Sequence, residues 1–226
     1  MGENAAFAGA IEEEIKLTAR HAVTLEQLLA DEEILRLSDR QSPRDRSFRA
    51  VYLDTPDWKL LKARLAFRRR QEGERWRVGL KGGGDMIGGL SRRLEWEGLV
   101  DREVSAPVDL PDGEMKQRLL DILHQNEPLL PILETDFQRR VLLLRLESGS
   151  VAELALDAGR IRAGTLAVTL FEVELEGLSG PFQPVVALSE RLLSRHADLT
   201  ASRQSKFACG LELLVNQGLL PAKAVW

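Results

Sequence analysis

Polar and apolar residues alternate along "IEEEIKLTAR", residues 11–20. One set of positions reads Glu12, Glu14, Lys16, Thr18 and Arg20. The other reads Ile11, Ile15, Leu17 and Ala19, with Glu13 as the exception. A period of two marks a half-buried β-strand. The pattern recurs at 46–55, in "LAFRRRQ" and "RWRVGLK" on either side of "EGE", in "LSRRLEWEG", and over 132–147, 151–162 and 165–177. "EGE" predicts a hairpin, and "ESGS" and "RAGT" predict the turns joining the last three strands. Helical spacing predicts a helix over 24–38 with Thr24 as its cap, another over 112–125, and two more near 182–195 and 203–215. In "TPDWKLLKARL", Thr55 can cap a helix, Pro56 suits its first position, and Asp57 suits its positive end. "KGGGDMIGG" reads as a glycine-rich loop and lacks the phosphate-cradling G-x-x-x-x-G-K-[ST] spacing.

Eight strands joined by short turns or single helices, with no linker-like stretch between them, predict one antiparallel sheet in a single domain spanning 1–226. Eight strands suffice to close a barrel with room for one small ligand. The expected class is therefore α+β, an eight-stranded antiparallel β-barrel forming a tunnel with helices packed outside.

Charge sharpens this expectation. Alternation places Glu12, Glu14 and Lys16 on one face of the first strand, and Arg68 and Arg70 on one face of the third. Arg75, Arg77 and Lys81 share a face of the fourth strand, and Arg93, Glu95 and Glu97 a face of the fifth. Glu153 and Asp157 lie together on the seventh, and Glu172, Glu174 and Glu176 on the eighth. In a chain that is 29% charged, any one such strand is ordinarily a solvated face with cross-strand ion pairs. Repetition over at least five strands, with apolar opposite faces such as Ile15 and Leu17, Val78 and Leu80, and Val173 and Leu175 that also need burial, favours a closed barrel with the charges inside. Desolvating acids and bases together is costly unless a ligand compensates. A polyanion bound with divalent cations would do so.

Composition removes other classes. With 226 residues, 44% hydrophobic, the chain can bury a sizeable core. A net charge of −4 gives no basic field for nucleic acid. Cys209 is the only cysteine, which excludes an internal disulfide and suits a reducing, cytoplasmic setting. No apolar run reaches membrane-spanning length, and the first residues lack the layout of a secretory signal. His21, His124 and His196 have no zinc-ligand spacing. Cys209 reads as a small core residue, and Trp58, Trp76, Trp96 and Trp226 as packing groups. "RQSPRDRSFR", 40–49, reads as a mobile basic loop.

The ordered motifs resemble a known family. "EEEIKL" matches the E-x-E-x-K signature of the CYTH superfamily, the triphosphate tunnel metalloenzymes. "YLDTPDWKLLKARLAFRRRQEGERWRVGLKG", "GGLSRRLEWE", "TDFQRR", "ELALDAG", "FEVELE" and "SK" follow in family order, across about residues 9–214. The likeness leans toward bacterial inorganic triphosphatases, whose CYTH domain often precedes a helical CHAD domain. No CHAD-like segment is seen here, so a stand-alone CYTH domain or a fragment is expected. The resemblance implies hydrolysis of a linear triphosphate with Mg²⁺ or Mn²⁺ in an eight-stranded tunnel. It implies metal ligation by Glu12, Glu14 and Glu174, with Glu172 and Asp157 holding a second metal or positioning water. It implies phosphate binding by Lys16, Arg68, Arg70, Lys81, Arg93, Arg139 and Lys206, with Glu95 orienting the bases around it. Arg139 rather than Arg140 fits the "TDF-x-R" frame, and Arg69 falls outside. The chain departs from the family's "SK-x-x-R-G" at Cys209. The rival expectations are a class IV-type adenylate cyclase, a thiamine or nucleoside triphosphatase, and a polyphosphate-binding module without turnover. The expected partner is a small polyanion, with no nucleic acid and no membrane. The complete acid set, which a binding module would not need, favours an enzyme.

Overall fold

In the computed structural model, residues 7–38, 44–72, 74–82, 84 and 86–222 are described. Among them are ten strands: β1 (Ala10–Ala19), β2 (Arg44–Asp54), β3 (Leu65–Glu72), β4 (Arg75–Gly82), β5 (Met86–Ile87), β6 (Leu90–Val100), β7 (Leu130–Arg145), β8 (Val151–Ala163), β9 (Leu166–Ser179) and β10 (Leu199–Ala201). Eight of them close an antiparallel barrel in the order β1-β9-β8-β7-β2-β3-β4-β6, returning to β1. β1 makes the closure. Its first half pairs with β6, from Ala10↔Glu95 to Ile15↔Leu90, and its opposite edge pairs with β9, from Glu14↔Glu176 to Ala19↔Phe171. The two additional strands are short. β10 pairs with the end of β1, and β5 pairs with the start of β6.

The basic stretch expected as a loop is largely strand. Residues 39–43 lie outside the described residues, but Arg44 to Arg49 form the start of β2, paired with β7. The glycine-rich segment carries β5 and a turn at Gly88 and Gly89. Gly89 has φ +85°, and a Cβ there would stand 2.5 Å from the Lys16 carbonyl oxygen, so this close approach to β1 requires glycine.

The helices are α1 (Ala22–Leu29), α2 (Glu32–Leu37), α3 (Lys59–Lys62), α4 (Glu114–Leu120), α5 (Gln183–Arg195) and α6 (Lys206–Asn216). The single helix expected over 24–38 is two. Asp31 ends the first by capping the second, its carboxylate accepting from the backbone N–H of Glu33 and Ile34. Thr24 is buried inside α1 and is not its cap. The helix after Thr55 is a single turn. Thr55 Oγ1 accepts from Lys59 N–H, but the buried Asp54 carboxylate takes the Leu60 and Leu61 N–H groups.

Three apolar clusters hold the barrel. Leu17, Leu154, Val173 and Leu175 face outward beneath α1, α2 and α5, packing on Leu28, Ile34, Leu188 and Leu192. Phe67, Val78, Leu80 and Trp96 form a second outward layer with Met115 and Leu119 of α4. Each fully buried side chain of this kind contributes about 1.5–3 kcal/mol. The third cluster differs. Phe207, Leu211 and Leu214 of α6 pack on Tyr52, Leu133, Phe137 and Ile161. By alternation, Leu133 and Phe137 share the face of β7 that carries Arg139, and Ile161 shares the face of β8 that carries Asp157. α6 therefore covers one end of the barrel.

Candidate active site

The charged faces of the strands meet in one cavity of ≈ 1500 Å³ inside the barrel. Of the side chains singled out from the sequence, Glu12, Glu14, Lys16, Arg68, Arg70, Lys81, Arg93, Glu95, Arg139, Glu174 and Lys206 line it. Asp157 and Glu172 are 0% and 1% exposed and stand behind the lining, bound to its cations. No residue of the set is left elsewhere in the molecule.

Two groups of charges share this space. In the first, Asp157, Glu172 and Glu174 offer carboxylate oxygens within 4.8 Å of one another. Lys206 Nζ lies 2.9 Å from both Asp157 and Glu174 and also contacts Glu172. The Arg139 guanidinium donates from Nε to Asp157 Oδ1 at 2.7 Å and from Nη2 to Oδ2 at 2.6 Å, a two-pronged fork. Arg139 and Asp157 are cross-strand partners on β7 and β8, which is why one register brings them together. Arg140 faces outward to Glu26 and Asp45. In the second group, Arg93 reaches Glu12 at 3.0 Å and Glu14 at 2.8 Å. Lys81 bridges Glu12 at 3.2 Å and Glu95 at 2.7 Å, and Arg68 lies 3.2 Å from Glu97. Lys16, 3.1 Å from Glu14 and also bound to Glu174, joins the two groups.

Burial and neighbours set the protonation states. Burial would lower the Lys16 ammonium's pKa, but Glu14, Glu174 and Glu172 outweigh it and raise the value. The same opposition holds Lys206 well above the ordinary lysine range. Burial would raise Glu174, yet Lys16, Lys206 and Arg139 hold it well below the usual carboxylate range. Glu172 goes the other way: burial pushes it up to about 7 against the pull of Lys206 and Lys16. Glu176 is also pushed up to about 7, first by burial and then by repulsion from Glu12, Glu14 and Glu153.

Glu176, Glu97, Glu153, Arg77 and Arg46 also line the cavity. The first four were legible as members of charged faces, and Glu176 as the third alternate glutamate of "FEVELE". Their membership of the site was not legible. Arg46 stands at the first position of the strand expected over 46–55 and inside the stretch expected as a loop, so it was not assigned to a charged face; it is the cross-strand partner of Arg139. Arg69 lies on the outer side as expected, its guanidinium held by the Val104 carbonyl and Glu103. His196 bonds Asp31 at 3.1 Å, Cys209 accepts from Gln204, and Trp96 is buried in the second cluster, so these groups serve packing and local polar contacts. Trp226 lies outside the described residues.

The donor set fits a hard divalent cation. It is all carboxylate oxygen, three such oxygens converge among Asp157, Glu172 and Glu174, and Glu14 and Glu176 are direct cross-strand partners whose mutual repulsion a cation would relieve.

Comparison with known proteins agrees with the geometry. The chain is 31% identical over 143 residues to an inorganic triphosphatase of Haemophilus influenzae. That match spans 63% of this chain and only 39% of the relative. A Hippeastrum protein, described as a putative adenylyl cyclase with a dominant triphosphatase activity, shares the fold at a TM-score of 0.64 and 23% identity, over 93% of this chain and 98% of that one. A putative adenylate cyclase of Bacillus halodurans shares it at 0.56 and 21%, over 87% and 96%. No described helix is long and apolar enough to cross a membrane. The CYTH domain family matches residues 10–210, nearly the whole chain, and the protein belongs to that family.

Proposed function

We propose that this protein hydrolyses a linear triphosphate to diphosphate and orthophosphate inside the barrel, with Mg²⁺ or Mn²⁺ as cofactor. The observation that carries the reading is the convergence of bases and acids from all eight barrel strands and α6 in one cavity. The matched triphosphatase relative supports it. Phosphoryl transfer asks a protein for positioning and charge neutralisation more than for covalent chemistry. Arg68, Arg70, Lys81, Arg93, Arg139, Lys16 and Lys206 supply that, arginine as a planar fork and lysine as a point charge.

Glu12, Glu14 and Glu174 would hold the metal, Asp157 and Glu172 would complete a second position, and Glu95 would keep Lys81 and Arg68 in place. Glu176 joins this acid set. A bound divalent cation supplies charge neutralisation at the phosphate oxygens and lowers the pKa of water. Where no second metal occupies that position, Glu172, its carboxyl pushed up by burial, would instead position the attacking water and accept its proton. Water oxygen then bonds the terminal phosphorus as the bridging P–O bond breaks. Diphosphate leaves in line, its charge held by the arginines. Binding triphosphate requires Arg139, Lys206, Lys16, Lys81 and Arg93 to exchange protein carboxylates for phosphate oxygens, and the carboxylates so released would be free to hold the metal.

A second reading, a triphosphate carrying an organic group such as a nucleoside or thiamine, is favoured by volume. The cavity exceeds the range of about 300–1,000 Å³ usual for small-molecule sites. The same proposal places the protein in the cytoplasm with no nucleic-acid partner. Glu12→Gln and Glu14→Gln, each assayed for phosphate release with Mg²⁺ and Mn²⁺, test the metal assignment. Turnover should fall by about two orders of magnitude or more, as expected when a charge-stabilising group is removed, with circular dichroism unchanged. Parental activity in both variants would refute it.

A further inference from the structure

Three of the cavity's cations rest on aromatic rings, and two of these, Arg139 and Lys206, are also held by carboxylates. The Arg70 and Arg139 guanidinium carbons lie 4.8 and 5.4 Å from the centroid of Phe48, and Lys206 Nζ lies 5.2 Å from that of Phe137. Phe48 and Phe137 are themselves direct cross-strand partners on β2 and β7. We propose that this pair is an aromatic floor that positions Arg70, Arg139 and Lys206 for phosphate.

The chemistry differs from that of an ion pair. A carboxylate holds a guanidinium by occupying its N–H edges, the same edges that phosphate needs. A ring attracts the charge through its face and leaves the in-plane N–H groups available. A cation resting on a fixed ring also loses less side-chain freedom when substrate arrives. The floor is anchored. Phe137 is fully buried, and both rings belong to the cluster that seats α6. α6 thus supplies Lys206 and also packs the ring beneath it. Phe48 lines the cavity, with Arg46 two positions away on the same face of β2. Its position is set by register: Phe48 lies two residues from Ala50, the partner of Arg70, and two from Arg46, the partner of Arg139.

This inference rests on the proposed phosphate-binding role of these cations and adds positioning residues to it. A packing role for Phe48 would depend on ring shape. Positioning depends on ring electron density. The test is therefore a fluorination series at Phe48 (one, two and three ring fluorines), which keeps shape and weakens the face. Binding of tripolyphosphate to the metal-free full chain is measured by calorimetry, with the melting temperature alongside. The dissociation constant should rise stepwise, about three- to fivefold over the series, with the melting temperature constant. Phe48→Leu should bind at least as weakly as the trifluorinated ring, and Phe48→Tyr should bind within about twofold of the parent. A flat series with a tightly binding parent overturns the floor alone. A parent that binds no tripolyphosphate either without metal or with Mg²⁺ overturns the proposed function, and the floor with it.

Discussion

Glu176 shows at the scale of one residue what the cavity requires. Its carboxyl is pushed up to about 7 by burial and by Glu12, Glu14 and Glu153. A carboxyl raised above its unfolded value is neutral at low pH. It contributes stability that is fully present below about 4.5 and lost as pH rises through about 7. Glu172 adds to the trend in the same direction. In scanning fluorimetry the metal-free protein should therefore melt lower at pH 8 than at pH 6. Glu176→Gln should flatten the slope, and Mg²⁺ should raise the melting temperature more at pH 8 than at pH 6. An unchanged slope in the variant would show that Glu176 is not the strained acid. Turnover should follow the opposite limb, falling below pH 7 as Glu172 and Glu176 take up protons. Alternation alone had put Glu12, Glu14, Lys16, Glu172 and Glu174 on the inner face, because a period of two leaves no freedom once the outer face is oily. Pairing within that face was not legible, since it depends on register between strands distant in sequence.

At the scale of elements, the long barrel strands were legible and the short or interrupted pieces were not. β5 and β10 have two and three residues, too few to show a period. The break between α1 and α2 falls where apolar spacing continues unchanged, and only the cap at Asp31 marks it. That cap is also a crossing point. Arg195 and His196 at the end of α5 bond Asp31, and Arg195 and Arg191 bond Glu33. Asp31→Ala should cost about 1 kcal/mol as a lost cap, lowering the melting temperature by roughly 2–4 °C. Asp31 and Glu33 both have lowered carboxyl pKa values, despite some burial, through backbone and arginine partners. Their stabilisation is present above about 4.5 and lost as pH falls, so the variant's deficit should shrink at pH 3. A deficit independent of pH would assign it to the cap's geometry rather than its charge. On β8, a Cβ at Gly159 would stand 2.1 Å from the Asp136 carbonyl oxygen and 2.7 Å from Phe137 Cα. Gly159→Ala should therefore destabilise by about 3 kcal/mol or more, since backbone cannot move aside as a flexible side chain does. A melting temperature equal to the parent's would contradict that contact.

For the whole molecule, the central physical problem is the enclosure of so many charges. Ion pairs cut from water are weak sources of stability. The barrel is held by its apolar outer layers and by α6, and the inner network is retained at a cost that function explains. The number of barrel strands and their antiparallel sense followed from the sequence pattern. Closure was favoured by the repeated charged faces and by likeness to a family, but that β1 joins β6 and β9 was not legible, because pairing between the start and the later part of a chain leaves no local mark. The most direct measurement is a product assay of the purified chain with tripolyphosphate, ATP, thiamine triphosphate and long polyphosphate, each with Mg²⁺ or Mn²⁺. Diphosphate and orthophosphate should appear from tripolyphosphate in equal amounts, only when metal is present. Cyclic AMP as the dominant product from ATP, or tight binding of every polyanion with no product at all, would contradict the account.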